Sequence, residues 1–209
     1  MKKRKTIYHL IVDKSGSMSD CIDNTINGFN EQINRIKHKV LEFEEEEITL
    51  GLTTFNALVD HHYFELDPKT AALLNYHNYN PSGSTALLDA VGETITQIER
   101  RTIECAIPTT VIVVILTDGH ENASKSYNLV KIRNMISKLE ETSKWTFSFI
   151  GATLDAVDVA ESMNIKKQNS FAFNKIEMND SVWNKLDNSV SSYFSKKREN
   201  KNLDNLFED

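Results

Sequence analysis

The run Thr109 to Thr117 (TTVIVVILT) constrains the fold most: it is β-branched at every position but Leu116, apolar through its centre, and ends in Asp118-Gly119. A strand of that character is covered on both faces, the environment of a parallel sheet flanked by helices. Thr6 to Val12 is a second such run, and it ends in Asp13. The segments between and after them are amphipathic at helical spacing. Ile22, Ile26, Phe29, Ile33, Ile36 and Val40 follow one another at intervals of three and four, as do Leu129, Ile132, Ile136 and Leu139. Strands alternating with such helices predict an α/β fold. The expected form is a doubly wound, Rossmann-like, mostly parallel six-stranded sheet with helices on both faces.

The other expected strands are Ile48 to Phe55, Ala57 to Leu66, Trp145 to Ile150 and Ser170 to Phe173. Only Asn56 parts the first two, which predicts a tight hairpin and so one antiparallel edge strand. That strand carries His61 and His62, whose side chains must point to opposite faces and so cannot chelate one ion together. Lys69 to Asn80 reads as an irregular connection with one helical turn near Ala71 to Leu74. Helices are expected from Ala86 to Arg101, Tyr127 to Thr142, Ala156 to Met163 and Met178 to Phe194. The acidic run Glu44 to Glu47 is expected to be a solvated turn. Residues 1–195 then form one domain, and 196–209 a charged tail that frays unless Leu203, Leu206 and Phe207 dock.

Composition removes several function classes. A formal charge of −6 argues against a nucleic-acid binder that works through a basic face. The basic start, Lys2 to Lys5, precedes an apolar stretch too short for a secretion signal and interrupted by His9, and no run is long enough for a membrane helix. The expectation is a soluble cytoplasmic protein. Cys21 and Cys105 are too few and too far apart for a disulfide framework or a zinc site, and read as ordinary thiols.

The chemistry gathers where strands end. Asp13 opens Asp-Lys-Ser-Gly-Ser, with hydroxyls at Ser15 and Ser17. In an open α/β sheet, ligands sit outside the carboxyl ends of the strands. If the strands ending in Asp13 and Asp118 are neighbours, their carboxylates converge, and the loop Asn80 to Thr85 can reach the same edge. Asp13, Ser15, Ser17, Thr85 and Asp118 then offer two carboxylates and three hydroxyls. That all-oxygen set suits a hard divalent cation, Mg²⁺ first, with Mn²⁺ and Ca²⁺ as further candidates. The neighbours have plainer readings. Lys14 points outward; Asp20 and Asp23 are helix N-terminal charges; Met18 packs the loop; His120, Glu121 and Asn122 lie beside the site, with Glu121 fixing the turn and, as alternatives, backing the metal residues or serving as a general base; Asp89 stays solvated or caps locally.

This constellation resembles the metal-ion-dependent adhesion site of the von Willebrand factor A domain family. Asp13-Lys14-Ser15-Gly16-Ser17 matches the Asp-x-Ser-x-Ser pattern, Gly83 to Leu87 looks like its threonine loop, and Thr117-Asp118-Gly119 like its aspartate turn. The likeness spans Thr6 to about Phe173. It implies that Ser15, Ser17 and Thr85 touch the metal through their hydroxyls while Asp13 and Asp118 act mainly through waters. It further implies a non-enzymatic binding module that docks a partner's Glu or Asp carboxylate. Stand-alone bacterial members look like adaptors or regulators, so the partner would be an ATPase or another component of a complex. No Gly-x-x-x-x-Gly-Lys-Ser/Thr loop is present for nucleotide. The alternative is a Mg²⁺-dependent phosphoester hydrolase at the same site, with Asp13 and Lys14 in catalytic roles.

Overall fold

The two apolar runs lie side by side at the centre of the sheet. In the computed structural model, which describes residues 4–103, 105–152, 155–173, 180–199, 201, 203 and 205–207, β1 (Arg4–Asp13) pairs in parallel with β4 (Thr109–Thr117), Val12 facing Leu116. On the other side of β1 lies β2 (Glu46–Phe55), also parallel, with Asp13 opposite Phe55. β3 (Val59–Leu66) returns antiparallel along β2 and forms one edge. β5 (Trp145–Gly151) and β6 (Ser170–Ala172) extend the sheet beyond β4, giving the order β3-β2-β1-β4-β5-β6. The chain is therefore an α/β protein with a doubly wound, mostly parallel six-stranded sheet and one antiparallel edge strand.

Among the described residues, five helices flank it: α1 (Ile22–Glu42), α2 (Leu87–Ile103), α3 (Leu129–Glu140), α4 (Ala156–Ser162) and α5 (Asp180–Arg198). Alternation along each strand sends side chains to two layers. Tyr8, Leu10 and Val12 join Ile112, Val114 and Leu116 beneath α1 and α5, where Phe29, Ile33, Leu186 and Val190 close the layer. Ile7 and Ile11 join Val111, Val113 and Ile115 beneath α2, α3 and α4, against Ile95, Ile98, Ile132 and Ile136. Each such aliphatic side chain contributes about 1.5–3 kcal/mol on burial. This is why apolar residues recur at spacings of two in strands and three to four in helices.

The winding fixes where a site can form. From β1 the chain goes through α1 to β2 on one side, and later through α2 to β4 on the other. The order reverses between β1 and β4, and the crevice above that reversal is where such sheets bind ligands. Asp13 ends β1, and Asp118 directly follows β4.

The structure departs from the sequence expectations in several places. Glu46 is not in a solvated turn: it begins β2, is 2% exposed, and is paired with Lys197. α5 runs on to Arg198 because Lys197 is buried beneath the sheet, and Leu206 and Phe207 join the core instead of fraying. The Met178 start expected for that helix lies outside the described residues. No helical turn forms at Ala71 to Leu74. A 3-10 turn forms one step earlier, Pro68–Thr70, where the Asp67 side chain accepts from Lys69 N and Pro68 supplies a pre-set φ. The histidines of β3 do point apart. His61 Nδ1 meets Thr53 Oγ1 at 3.0 Å, and His62 Nε2 meets Thr54 Oγ1 at 2.8 Å. Among the described residues, no helix is long and apolar enough to cross a membrane.

Candidate metal centre

All five side chains marked by the sequence come together above the β1–β4 reversal. Asp13 is fully buried; one carboxylate oxygen accepts from Ser15 N at 2.6 Å and the other from Thr117 Oγ1 at 2.5 Å. Ser15 Oγ lies 3.0 Å from Ser17 Oγ, which donates to Asp118 Oδ1 at 2.6 Å. Thr85 is reached through Gly119. A Cβ on that glycine would stand 2.9 Å from Thr85 Oγ1 and 3.4 Å from Ser17 Oγ. The absence of a side chain there leaves the two hydroxyls room to face one another. Asp13, Ser15, Thr85 and Asp118 are buried, whereas Ser17 is exposed.

The loops bearing these groups are fastened to each other by backbone bonds. Gly16 N donates to Gly83 O at 3.0 Å, and Ser82 N to Lys14 O at 2.9 Å. Thr85 N donates to Asn122 Oδ1 at 2.9 Å, while Thr85 O accepts from Asn122 N and Ala123 N. Asn56, the first of the three residues between β2 and β3 where the sequence suggested it alone, donates from Nδ2 to Ser82 O and accepts from Ala86 N through its carbonyl. Tyr79 reaches up from the core to donate its hydroxyl to Asp13 O at 2.7 Å.

The electrostatics are lopsided. Burial pushes the Asp13 carboxyl up to about 6, helped by the nearby charge of Asp118 and opposed by the bonds from Thr117 and Ser15. Lys14 does not relieve it, because its ammonium is paired with Asp60 on β3. Among the described residues, no three His, Cys, Asp or Glu side chains are gathered to hold a metal. The centre is instead two carboxylates with hydroxyl oxygens between them, and such a set fits a hard divalent cation.

Sequence reasoning missed the supporting residues. Thr117, Tyr79 and Asn56 carry no local signal beyond their positions at strand ends and turns. Asp89 was expected to be solvated or to cap locally. It is 8% exposed, and its carboxylate accepts from the backbone N–H groups of Lys125, Ser126 and Tyr127. Glu121 accepts from Ala123 N, Ser124 N and Ser124 Oγ, the turn role the sequence suggested, and also from Leu88 N of α2.

The sequence pattern of the von Willebrand factor type A domain matches residues 9–199. The chain belongs to that family. No curated protein matches the chain in sequence. Among solved structures it resembles the PilB minor pilin of Streptococcus sanguinis, with a TM-score of 0.63, 12% identity, and coverage of 92% of this chain and 62% of the pilin. It is similar to the manganese-loaded TRAP protein of Plasmodium vivax, with a TM-score of 0.58, 16% identity, and coverage of 84% of this chain and 70% of that one. A mussel byssus protein, proximal thread matrix protein 1, with zinc in its MIDAS motif, gives a TM-score of 0.57 and 16% identity. That likeness covers 88% of this chain and 45% of the mussel protein. At these identities the likenesses show the shared fold of the von Willebrand factor A domain. This chain spans less than two thirds of the pilin and less than half of the mussel protein.

Proposed function

We propose that this von Willebrand factor A domain is a metal-dependent protein-binding module. Asp13, Ser15, Ser17, Thr85 and Asp118 hold a divalent cation, Mg²⁺ or Mn²⁺ before Ca²⁺, at the carboxyl edge of the sheet. The observation that carries this reading is the buried Asp13 carboxylate. It lies beside Asp118, is surrounded by neutral donors, and among the described residues no Lys, Arg or His is paired with it. When bound, the cation supplies an electrophilic point that attracts an anionic oxygen from outside. The chain's part is to orient and to limit neutralisation. Ser15, Ser17 and Thr85 present uncharged oxygens, so only two carboxylates offset the ion's charge, and Thr117 keeps Asp13 from rotating away. The exposed Ser17 marks the open side, where a partner's Glu or Asp side chain would dock.

The manganese in the TRAP protein and the zinc in the mussel protein's motif support a metal for this fold's site. The hydrolase alternative wants a basic clamp on phosphate, and Lys14, the residue offered for it, is engaged by Asp60. The module then works as an adaptor within a larger complex. Titrating Mn²⁺ calorimetrically into the chelated protein tests the metal step. One site is expected in the wild type and none in Asp13→Ala. Affinity capture tests the docking step: specific partners should be held in Mg²⁺, released by chelator, and missing from Thr85→Ala. No heat in the wild type, or partners indifferent to chelator and to Thr85→Ala, would refute the reading.

A further inference from the structure

The proposed metal residues do not stand on three independent loops. The loop after Asp118 closes the N-terminus of α2: Leu88 N donates to Glu121 Oε2 at 2.8 Å, and Asp89 N to Ser124 Oγ at 3.0 Å. α2 returns the contact, since the Asp89 carboxylate accepts from Lys125, Ser126 and Tyr127 N at 2.8–2.9 Å. Ser124 Oγ donates to Glu121 Oε2 at 2.7 Å and links the two exchanges. The first N–H groups of a helix have no intrahelical acceptor and are commonly capped from their own chain just upstream. Here the acceptors come from residues 33 and 35 positions away.

Thr85 lies two residues before α2, and Asp118 three residues before Glu121. The reciprocal capping, with the Thr85–Asn122 bonds, makes Thr85 and Asp118 one rigid unit. The Asp13 loop meets that unit through bonds that include Gly16 N to Gly83 O, Ser82 N to Lys14 O, Ser17 Oγ to Asp118, and Thr117 Oγ1 to Asp13. We propose that Glu121 and Asp89 are positioning residues for the metal centre, holding the Thr85 hydroxyl at a fixed separation from the Asp118 carboxylate. This rests on the metal reading of the site. Neither residue touches the ion; both act on where its oxygens stand.

The chemistry of the carboxylates specifies the variants. Glu121→Gln keeps the shape but replaces one accepting oxygen with an NH₂ group, which then faces a donor. Asp89→Asn does the same to the Lys125 to Tyr127 turn and serves if Glu121→Gln folds poorly. Ile98→Val, in the fully buried middle of α2, is the control that loosens the same helix without touching the clasp. Mn²⁺ is titrated by calorimetry into each chelated protein, with melting temperatures and amide hydrogen exchange measured alongside.

Residues that orient metal ligands typically change affinity by about 10–100-fold when altered. The expected result is Mn²⁺ binding weakened at least about tenfold in Glu121→Gln and Asp89→Asn, with faster exchange at Thr85, Leu88 and Ala123. Ile98→Val should keep wild-type affinity whatever its melting temperature. Wild-type affinity in both carboxylate variants, or an equal loss in Ile98→Val, would overturn the positioning role and leave the metal reading intact. No Mn²⁺ heat in the wild type would overturn both.

Discussion

At the lower end of the sheet Glu46 is buried against Lys197, which reaches from α5 and also donates to Thr6 Oγ1, Thr110 Oγ1 and the Lys5 carbonyl. At the upper end Asp13 is as deeply buried, yet among the described residues the groups that meet its carboxylate are neutral, the Thr117 hydroxyl and Ser15. Glu46 begins β2 beside the start of β1, and Asp13 ends β1, so neighbouring strands present both solutions. The lower carboxylate is neutralised from within: burial lowers the Lys197 pKa, and the attraction of Glu46 opposes that. The upper one is left short of positive charge. On the proposed reading, the fold seals one end with its own ion pair and leaves the other to an outside cation, one end for stability and one for binding.

The largest expected effect breaks the sealed end. Lys197→Met leaves Glu46, among the described residues, to Arg4 at 3.5 Å and the Thr6 hydroxyl at 2.6 Å, and should cost roughly 3–5 kcal/mol in urea unfolding. Replacing both partners with apolar residues, as in Glu46→Leu with Lys197→Met, should recover most of that loss.

His9 sharpens the comparison midway along β1. It is fully buried, its Nε2 bonded to Thr53 and its Nδ1 packed where a Cβ on Gly51 would lie only 1.9 Å away. Burial drives its pKa down to about 3 from 6.5, with His61 and Arg101 adding to the shift. The unfolded chain therefore takes up a proton that the folded one refuses. Between pH 6.5 and about 3, His9→Gln should gain on the wild type by about 1.4 kcal/mol per pH unit. Parallel unfolding curves across that range would remove His9 from the account.

Asp13 carries the opposite sign. Its folded pKa of about 6 lies above the ordinary 3.8, so its charge weakens the metal-free fold above pH 6, and that penalty vanishes as pH falls to 3.8. Asp13→Asn should stabilise the chelated protein by about 1–3 kcal/mol at pH 7.5 and lose that advantage in acid. The smallest effect belongs to the exposed Lys14–Asp60 pair. Lys14→Ala should change stability by less than about 0.5 kcal/mol, read from the shift in denaturation midpoint.

The fold and its candidate centre differ from their supports in how readable they are. β1, β4 and the helices announce themselves because periodic burial is written in local spacing, and the centre because its residues sit in short motifs at strand ends. Glu46 and Lys197 sit in charged stretches that read as solvated until folding brings them together across 151 positions. The role of Asp89 and the reach of Glu121 to Leu88 were hidden for the same reason, since they depend on a helix and a loop that meet only in three dimensions. β6, three residues long, and the turn at Pro68–Thr70 show the limit of periodicity in short elements.

Thermal melting of the wild type and Asp13→Asn, each in chelator and in Mg²⁺, tests the proposed division between the two ends most directly. In chelator Asp13→Asn should melt above the wild type. Mg²⁺ should then raise the wild type alone, since only a state that binds the ion gains from it. A wild type that melts above Asp13→Asn in chelator and does not respond to Mg²⁺ would contradict the account.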